Sequence, residues 1–88
     1  MNYVTYVRTL TYSEAKRNFI RVDAEHRKMF PPIMQHFTLI GNYKRYQTKI
    51  DRQSRIWLTK SYEFKLKQGA KFEIIKNAND TYSIRQLE

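Results

Sequence analysis

Residues 43–58 read YKRYQTKIDRQSRIWL and hold five cations, Lys44, Arg45, Lys49, Arg52 and Arg55, against one acid, Asp51. Cations at this density neutralise phosphates and release their counterions, which supplies affinity without regard to base sequence. Arg45 and Arg55 could also read base edges, because a two-stranded ribbon fits the major groove and a guanidinium meets guanine with two hydrogen bonds. Trp57 and Tyr43 carry ring faces on which an unpaired base can stack. With Lys60 just beyond, these residues make one candidate nucleic-acid contact set. The same charges would also keep an edge hairpin soluble.

A second basic group is Arg17, Arg21, Arg27 and Lys28. Arg27 and Lys28 join the contact set. The group equally suits a solvated face and the negative end of a short helix.

Other chemistry finds less support. His26 and His36 lie ten residues apart with no metal-ligand spacing, and there is no cysteine to complete a site. No metal and no cofactor are expected. The acids Asp23, Glu25, Asp51, Glu63, Glu73 and Asp80 are scattered, and read as caps and turns. There is no glycine-rich phosphate loop and no nucleophile elbow. Histidine, arginine and tyrosine could together move a ribose proton and hold a phosphorane, as in a small ribonuclease. The residue types are present, but no spacing demands that reaction, and the chain is not expected to be an enzyme.

These side chains must be positioned by strands. NYVTYVRTL (2–10) alternates with period two and reads as a strand, as does NFIRV (18–22). TYSEAKR (11–17) is either a turn or one helical turn begun by Ser13. DAEHRKMF (23–30) reads as a short helix capped by Asp23 and stopped by Pro31-Pro32. HFTLI (36–40) and YKRYQTKI (43–50) are strands about a Gly41-Asn42 turn. DRQS (51–54) then joins YKRYQTKI to a return strand, RIWLT (55–59), as a hairpin. KSYEFKLKQG (60–69) is a short helix or turn ending at Gly69. KFEIIK (71–76) and TYSIR (81–85) flank a second hairpin. Alternation predicts a core of Val4, Tyr6, Phe19, Phe30, Phe37, Leu39, Tyr46, Ile50, Ile56, Leu58, Phe72, Ile74 and Ile84.

The chain is 88 residues long, so residues 1–88 are expected to form one domain. Its formal net charge of +9 creates a long-range positive field, whose usual partners are nucleic acid, anionic membrane or an acidic protein. Seven tyrosines and five phenylalanines argue against a disordered basic tail. A membrane is not expected as partner: no apolar run spans a bilayer, and no long amphipathic helix is legible. The N-terminus lacks the basic region and apolar core of a signal peptide, and the absence of disulfides leans towards the cytoplasm.

The order of elements repeats. NFIRVDAEHRKMFPP…FTLIGNYKRY and RIWLTKSYEFKLKQGAKFEIIKNANDTYSI both run strand, helix, strand, strand. The second segment, with IRVDAEHRKMF, resembles the AbrB/SpoVT/MazE group of swapped-hairpin DNA-binding domains. Glu25, Arg27 and Lys28 stand where that group has its Glu-Arg-Arg run. The family's junction proline is Asp23 in one unit and Lys60 in the other, and Ser54 rather than glycine precedes Arg55. The resemblance covers about residues 18–85. It implies a tandem, pseudobarrel arrangement like that of restriction-enzyme DNA-recognition domains, and a role in transcription regulation.

The expected fold is therefore mainly β with one or two short helices, a small closed or partly closed β-barrel of two strand-helix-strand-strand units. The expected function is nucleic-acid binding, with DNA favoured over RNA and homodimerisation on a two-fold operator in view. An RNA or single-strand binder, a protein-interaction module of phage or mobile-element type, and a small ribonuclease stand as alternatives.

Overall fold

The computed structural model describes residues 4–87. Asn2 and Tyr3 of the expected first strand, and Glu88, lie outside the described residues. In chain order the elements are β1 (Thr5–Thr9), α1 (Tyr12–Arg17), β2 (Phe19–Arg21), a 3-10 turn (Arg27–Met29), β3 (Phe37–Gly41) and β4 (Lys44–Thr48). There follow β5 (Arg55–Trp57), a second 3-10 turn (Lys60–Tyr62), β6 (Lys71–Ala78) and β7 (Thr81–Leu87).

Helix α1 begins at a capping box. The Thr11 hydroxyl accepts from the Glu14 amide at 3.3 Å, and the Glu14 carboxylate accepts from the Thr11 amide at 3.0 Å. Thr11, not Ser13, is thus the cap. Asn18 ends the helix with φ of +62°, a left-handed conformation that asparagine tolerates. The expected helix over 23–30 shrinks to a single 3-10 turn. Asp23 does accept from the His26 amide at 2.9 Å, but Phe30 before Pro31 is already extended, with φ of −106° and ψ of 163°.

Two sheets form, of order β1-β6-β7-β3-β4 and β2-β5. All pairs are antiparallel except β3 with β7. Two expectations fail here. First, residues 43–58 are not one hairpin. The Asn42-Tyr43 turn, with φ of +50° and +65°, folds β4 back on β3. Strand β5 instead pairs β2, and the two halves of the stretch meet only around the 51–54 turn, through an Ile50–Ile56 bridge and the bonds of Asp51 to Arg55 and Trp57. Second, the sheet is open and no barrel closes. The strand, 3-10 turn, strand, strand order does occur twice. A two-fold relation between the units would nevertheless require β6 to pair β4 as β3 pairs β7. Strand β1, which belongs to neither unit, pairs β6 on that side, and β1 and β4 are left as free edges.

One contiguous core joins the inner faces of both sheets, with Tyr6, Leu39, Phe72 and Ile74 from the larger and Ile20 and Ile56 from the smaller. Val4 and Tyr46, expected inside, are exposed at 58% and 37%. Val4 precedes β1, and Tyr46 lies on an edge strand. Leu10, Ile20, Val22, Met29, Tyr62 and Tyr82 are core residues that the alternation did not single out. The buried tyrosine hydroxyls are satisfied by backbone. Tyr62 donates to the Leu39 carbonyl at 2.5 Å and Tyr82 to the Met29 carbonyl at 2.7 Å. Burial pushes both phenols up to about 12. Gly41 permits this packing: a Cβ there would stand 2.8 Å from Phe64 and 2.9 Å from Ile84.

Candidate nucleic-acid interface

The smaller sheet is built from two near mirror-image tripeptides, Phe19-Ile20-Arg21 and Arg55-Ile56-Trp57. Antiparallel pairing sets Phe19 opposite Trp57, Ile20 opposite Ile56 and Arg21 opposite Arg55. Period two sends both isoleucines into the core and the other four side chains outward. Phe19 is only 2% exposed, yet it stands outside the main core. Its cover is Trp57, 5.1 Å away between ring centroids, and three guanidiniums. Arg17, Arg21 and Arg55 lie 5.8, 5.7 and 5.6 Å from its centroid. Arg17 and Arg55 also sit 5.7 and 4.8 Å from the Trp57 centroid. Guanidiniums at such distances are drawn to the negative ring faces.

Two anions organise this platform. Asp51 accepts from Arg55 Nε, Trp57 Nε1 and the amides of Gln53 and Arg55, each at 2.9 Å. Burial alone would raise its pKa. The hydrogen bonds from Trp57, the two amides and the Arg55 guanidinium outweigh that, and hold the carboxyl at about 2 instead of 3.8. Glu14 is 1% exposed. It accepts from Arg8 Nη2 at 2.9 Å and from the Arg21 amide at 2.8 Å, so it pins the end of β2 to α1 and β1. Burial pushes its carboxyl up, but Arg8 and the amides of Arg21 and Thr11 prevail and keep it below the ordinary value.

The Asp51 arrangement gives a pH dependence with a definite sign. The folded-state pKa lies below the unfolded value, so the stabilisation is complete above pH 3.8 and disappears as pH falls towards about 2. Asp51→Asn should cost about 1–2 kcal/mol near neutrality, solvent screening keeping the figure modest. Urea melts should show the gap between Asp51→Asn and the unaltered protein closing across that acid window. A gap that stays constant would refute the assignment.

The contact set read from the sequence divides in space. Arg52, Arg55 and Trp57 belong to the platform or its adjoining turn. Arg27 reaches that turn through a hydrogen bond from its guanidinium to the Ser54 hydroxyl. Lys28 is exposed on the same 3-10 turn as Arg27. Arg45 lies on β4, Lys49 follows it, and Tyr43 is fully exposed at the β3–β4 turn. Lys60 is exposed on the second 3-10 turn. No hydrogen bond or ion pair among the described residues joins these last four to the platform, though Lys60 lines a depression with Asn18 and Leu58 beside it. Arg17, Arg21 and Phe19 are the residues the contact set lacked. The signal that could have found them was the FIR and RIW pair.

Asp23, Glu25 and His26 bring one ligand atom each within 4.8 Å of one another, a grouping not expected from the sequence. Asp23 Oδ1 is engaged there by the His26 amide and by His26 Nδ1 at 2.8 Å. No described helix is long and apolar enough to cross a membrane.

No family model matches the chain. No curated protein matches it by sequence. Among solved structures, the N-terminal domain of Helicobacter pylori LlaJI.R1 superposes with a TM-score of 0.72, over 96% of this chain and 87% of that one. The chain has the fold of that domain. At 10% identity the likeness concerns the fold alone. It corrects the resemblance to the AbrB/SpoVT/MazE group: the likeness found is to the LlaJI.R1 domain, and the open sheet is not that group's barrel.

Proposed function

We propose that this protein is a nucleic-acid-binding module that grips the backbone of duplex DNA with the outer face of β2 and β5. The observation that carries the reading is the arginine cluster. Arg17, Arg21 and Arg55 are gathered on two aromatic rings, and no acid among the described residues pairs with Arg17 or Arg21. Arg21 and Arg55 are directly opposed on neighbouring strands, a like-charge pair that costs stability, and of the two only Arg55 has an acid, Asp51, beside it. Stacking restrains the guanidiniums while leaving N–H groups for phosphate oxygens, so less entropy is lost on binding. The fold shared with the LlaJI.R1 domain supports the coarser part of the reading, a nucleic-acid-associated module.

Duplex is favoured over single strand for a local reason. A base can stack only on a free ring face. On the platform Phe19 is covered and Trp57, 41% exposed, already carries two guanidiniums, while the free ring of Tyr43 stands apart at the β3–β4 turn. The transcriptional role was implied by the swapped-hairpin resemblance alone.

The test is an anisotropy titration with duplex and single strand of equal length at two salt concentrations. Duplex should bind more tightly, and log K should fall against log salt with a slope of about −3, from roughly −0.9 per phosphate engaged. Absence of duplex binding at low salt defeats the proposal. Stronger Trp57 quenching by single strand than by duplex would turn it towards a single-strand binder.

A further inference from the structure

Beside the arginine platform lies a short turn that breaks a local rule. Gln35 N–H donates to the Pro32 carbonyl at 3.0 Å and closes a four-residue turn, Pro32-Ile33-Met34-Gln35. Its third residue, Met34, has φ of +72°. Glycine or asparagine usually fills a third position with positive φ, because a Cβ is disfavoured there. Here the position holds a long apolar side chain. Ile33 and Met34 are both 40% exposed, on a protein that carries +9. The turn is nonetheless anchored: Met34 N–H donates to the Ile50 carbonyl at 2.8 Å, and Pro31-Pro32 restrict its entry. A side chain displayed at a conformational cost, from an anchored turn, points to use rather than looseness.

Its neighbours indicate the use. Met34, Asp51, Arg52, Gln53 and Arg55 line one shallow depression, so the apolar tip adjoins the cations that would hold phosphates. Asp51 joins the same depression to Trp57. A methionine beside two arginines, with an exposed isoleucine next to it in the turn, suits the insertion of an apolar wedge between stacked base pairs while the adjacent phosphates are neutralised. We propose that Ile33 and Met34 form a wedge that enters a base step of duplex DNA while Arg52 and Arg55 hold the adjacent backbone. This rests on the duplex-binding reading and adds to it that the bound DNA is unstacked and unwound.

Ligase closure of a nicked plasmid tests it, with protein saturating at low salt. Insertion unwinds the duplex, so closure with protein bound should yield circles of lower linking number than closure without it. The double variant Ile33→Ser, Met34→Gly should still bind the plasmid but leave the linking number at the protein-free value. Glycine accepts the positive φ, so Met34→Gly alone should melt no lower than the unaltered protein while losing part of the shift. A bound protein that leaves the linking number unchanged overturns the wedge and leaves duplex binding standing, as does a bound double variant that gives the full shift. Failure of the unaltered protein to bind the plasmid overturns both readings. As a second measurement on the unaltered protein alone, emission from 2-aminopurine placed within a duplex should rise at saturation. Flat emission also overturns the wedge.

Discussion

Glu14→Ala is expected to lower the unfolding free energy by about 3–5 kcal/mol, the range for removing one partner of a buried charge pair. The carboxylate is 1% exposed and serves three elements at once. It receives the Arg8 guanidinium from β1, the Thr11 amide at the start of α1 and the Arg21 amide in β2. Truncation leaves two amides and a half-buried guanidinium without their acceptor, and a helix of six residues without half of its capping box. Net stabilities of small domains are about 5–15 kcal/mol, so one side chain would remove much of the total. Glu14→Gln keeps an acceptor oxygen but not the charge, and should fall between alanine and the unaltered protein. The Glu14 pKa is depressed, so its contribution is present above the ordinary value of 4.5 and fades as pH drops further. Urea denaturation followed by circular dichroism reads both effects. A loss under about 1 kcal/mol for alanine would mean that the pair contributes no more than an exposed one.

The largest effect on binding should come from replacing Arg17, Arg21 and Arg55 together with glutamine. Glutamine keeps part of each stem over Phe19, so the charge is removed with less loss of packing. Affinity for duplex at low salt should fall by about 10²–10³-fold, and the salt slope should flatten by roughly 0.9 for each phosphate no longer engaged. The informative control replaces Arg45, Lys49 and Lys60, which the sequence placed in the contact set that lacked Arg17 and Arg21. Both triple variants lose three positive charges, so any long-range field weakens alike in each. The control should lose less than about tenfold if direct phosphate binding, not net charge, dominates. Equal losses would show that the platform is not the site. Thermal melts of both variants separate a binding defect from an unfolded one.

Those two triplets mark where the sequence was readable. Alternation in RIWL placed Ile56 and Leu58 inside and Trp57 outside, as found. The hairpin of β6 and β7 was legible because its turn lies next to both strands in sequence. The cap at Thr11 was legible in principle, since Thr-x-x-Glu is a local signature, but Ser13 competed for it. The burial of Tyr62 and Tyr82 was not. Their hydroxyl acceptors, Leu39 and Met29, are 23 and 53 residues away, and a tyrosine goes inside only where such an acceptor waits.

What the sequence determined by itself was therefore local: a charge of +9, the positions of the turns, strands of period two, and the outward face of Arg55 and Trp57. Strand partners beyond the sequence-adjacent pairs β3–β4 and β6–β7 were left to the tertiary structure. A strand's hydrogen-bonding edges are much the same whatever its neighbour, and its partner is chosen by burial over the whole chain. Lys44–Thr48 went to β3, Arg55–Trp57 went to β2, and β1 occupied the side of β6 that a closed barrel would have needed. That choice moved the candidate site from one hairpin to two distant tripeptides, and brought Arg17 and Arg21 beside Arg55 on a shared aromatic floor.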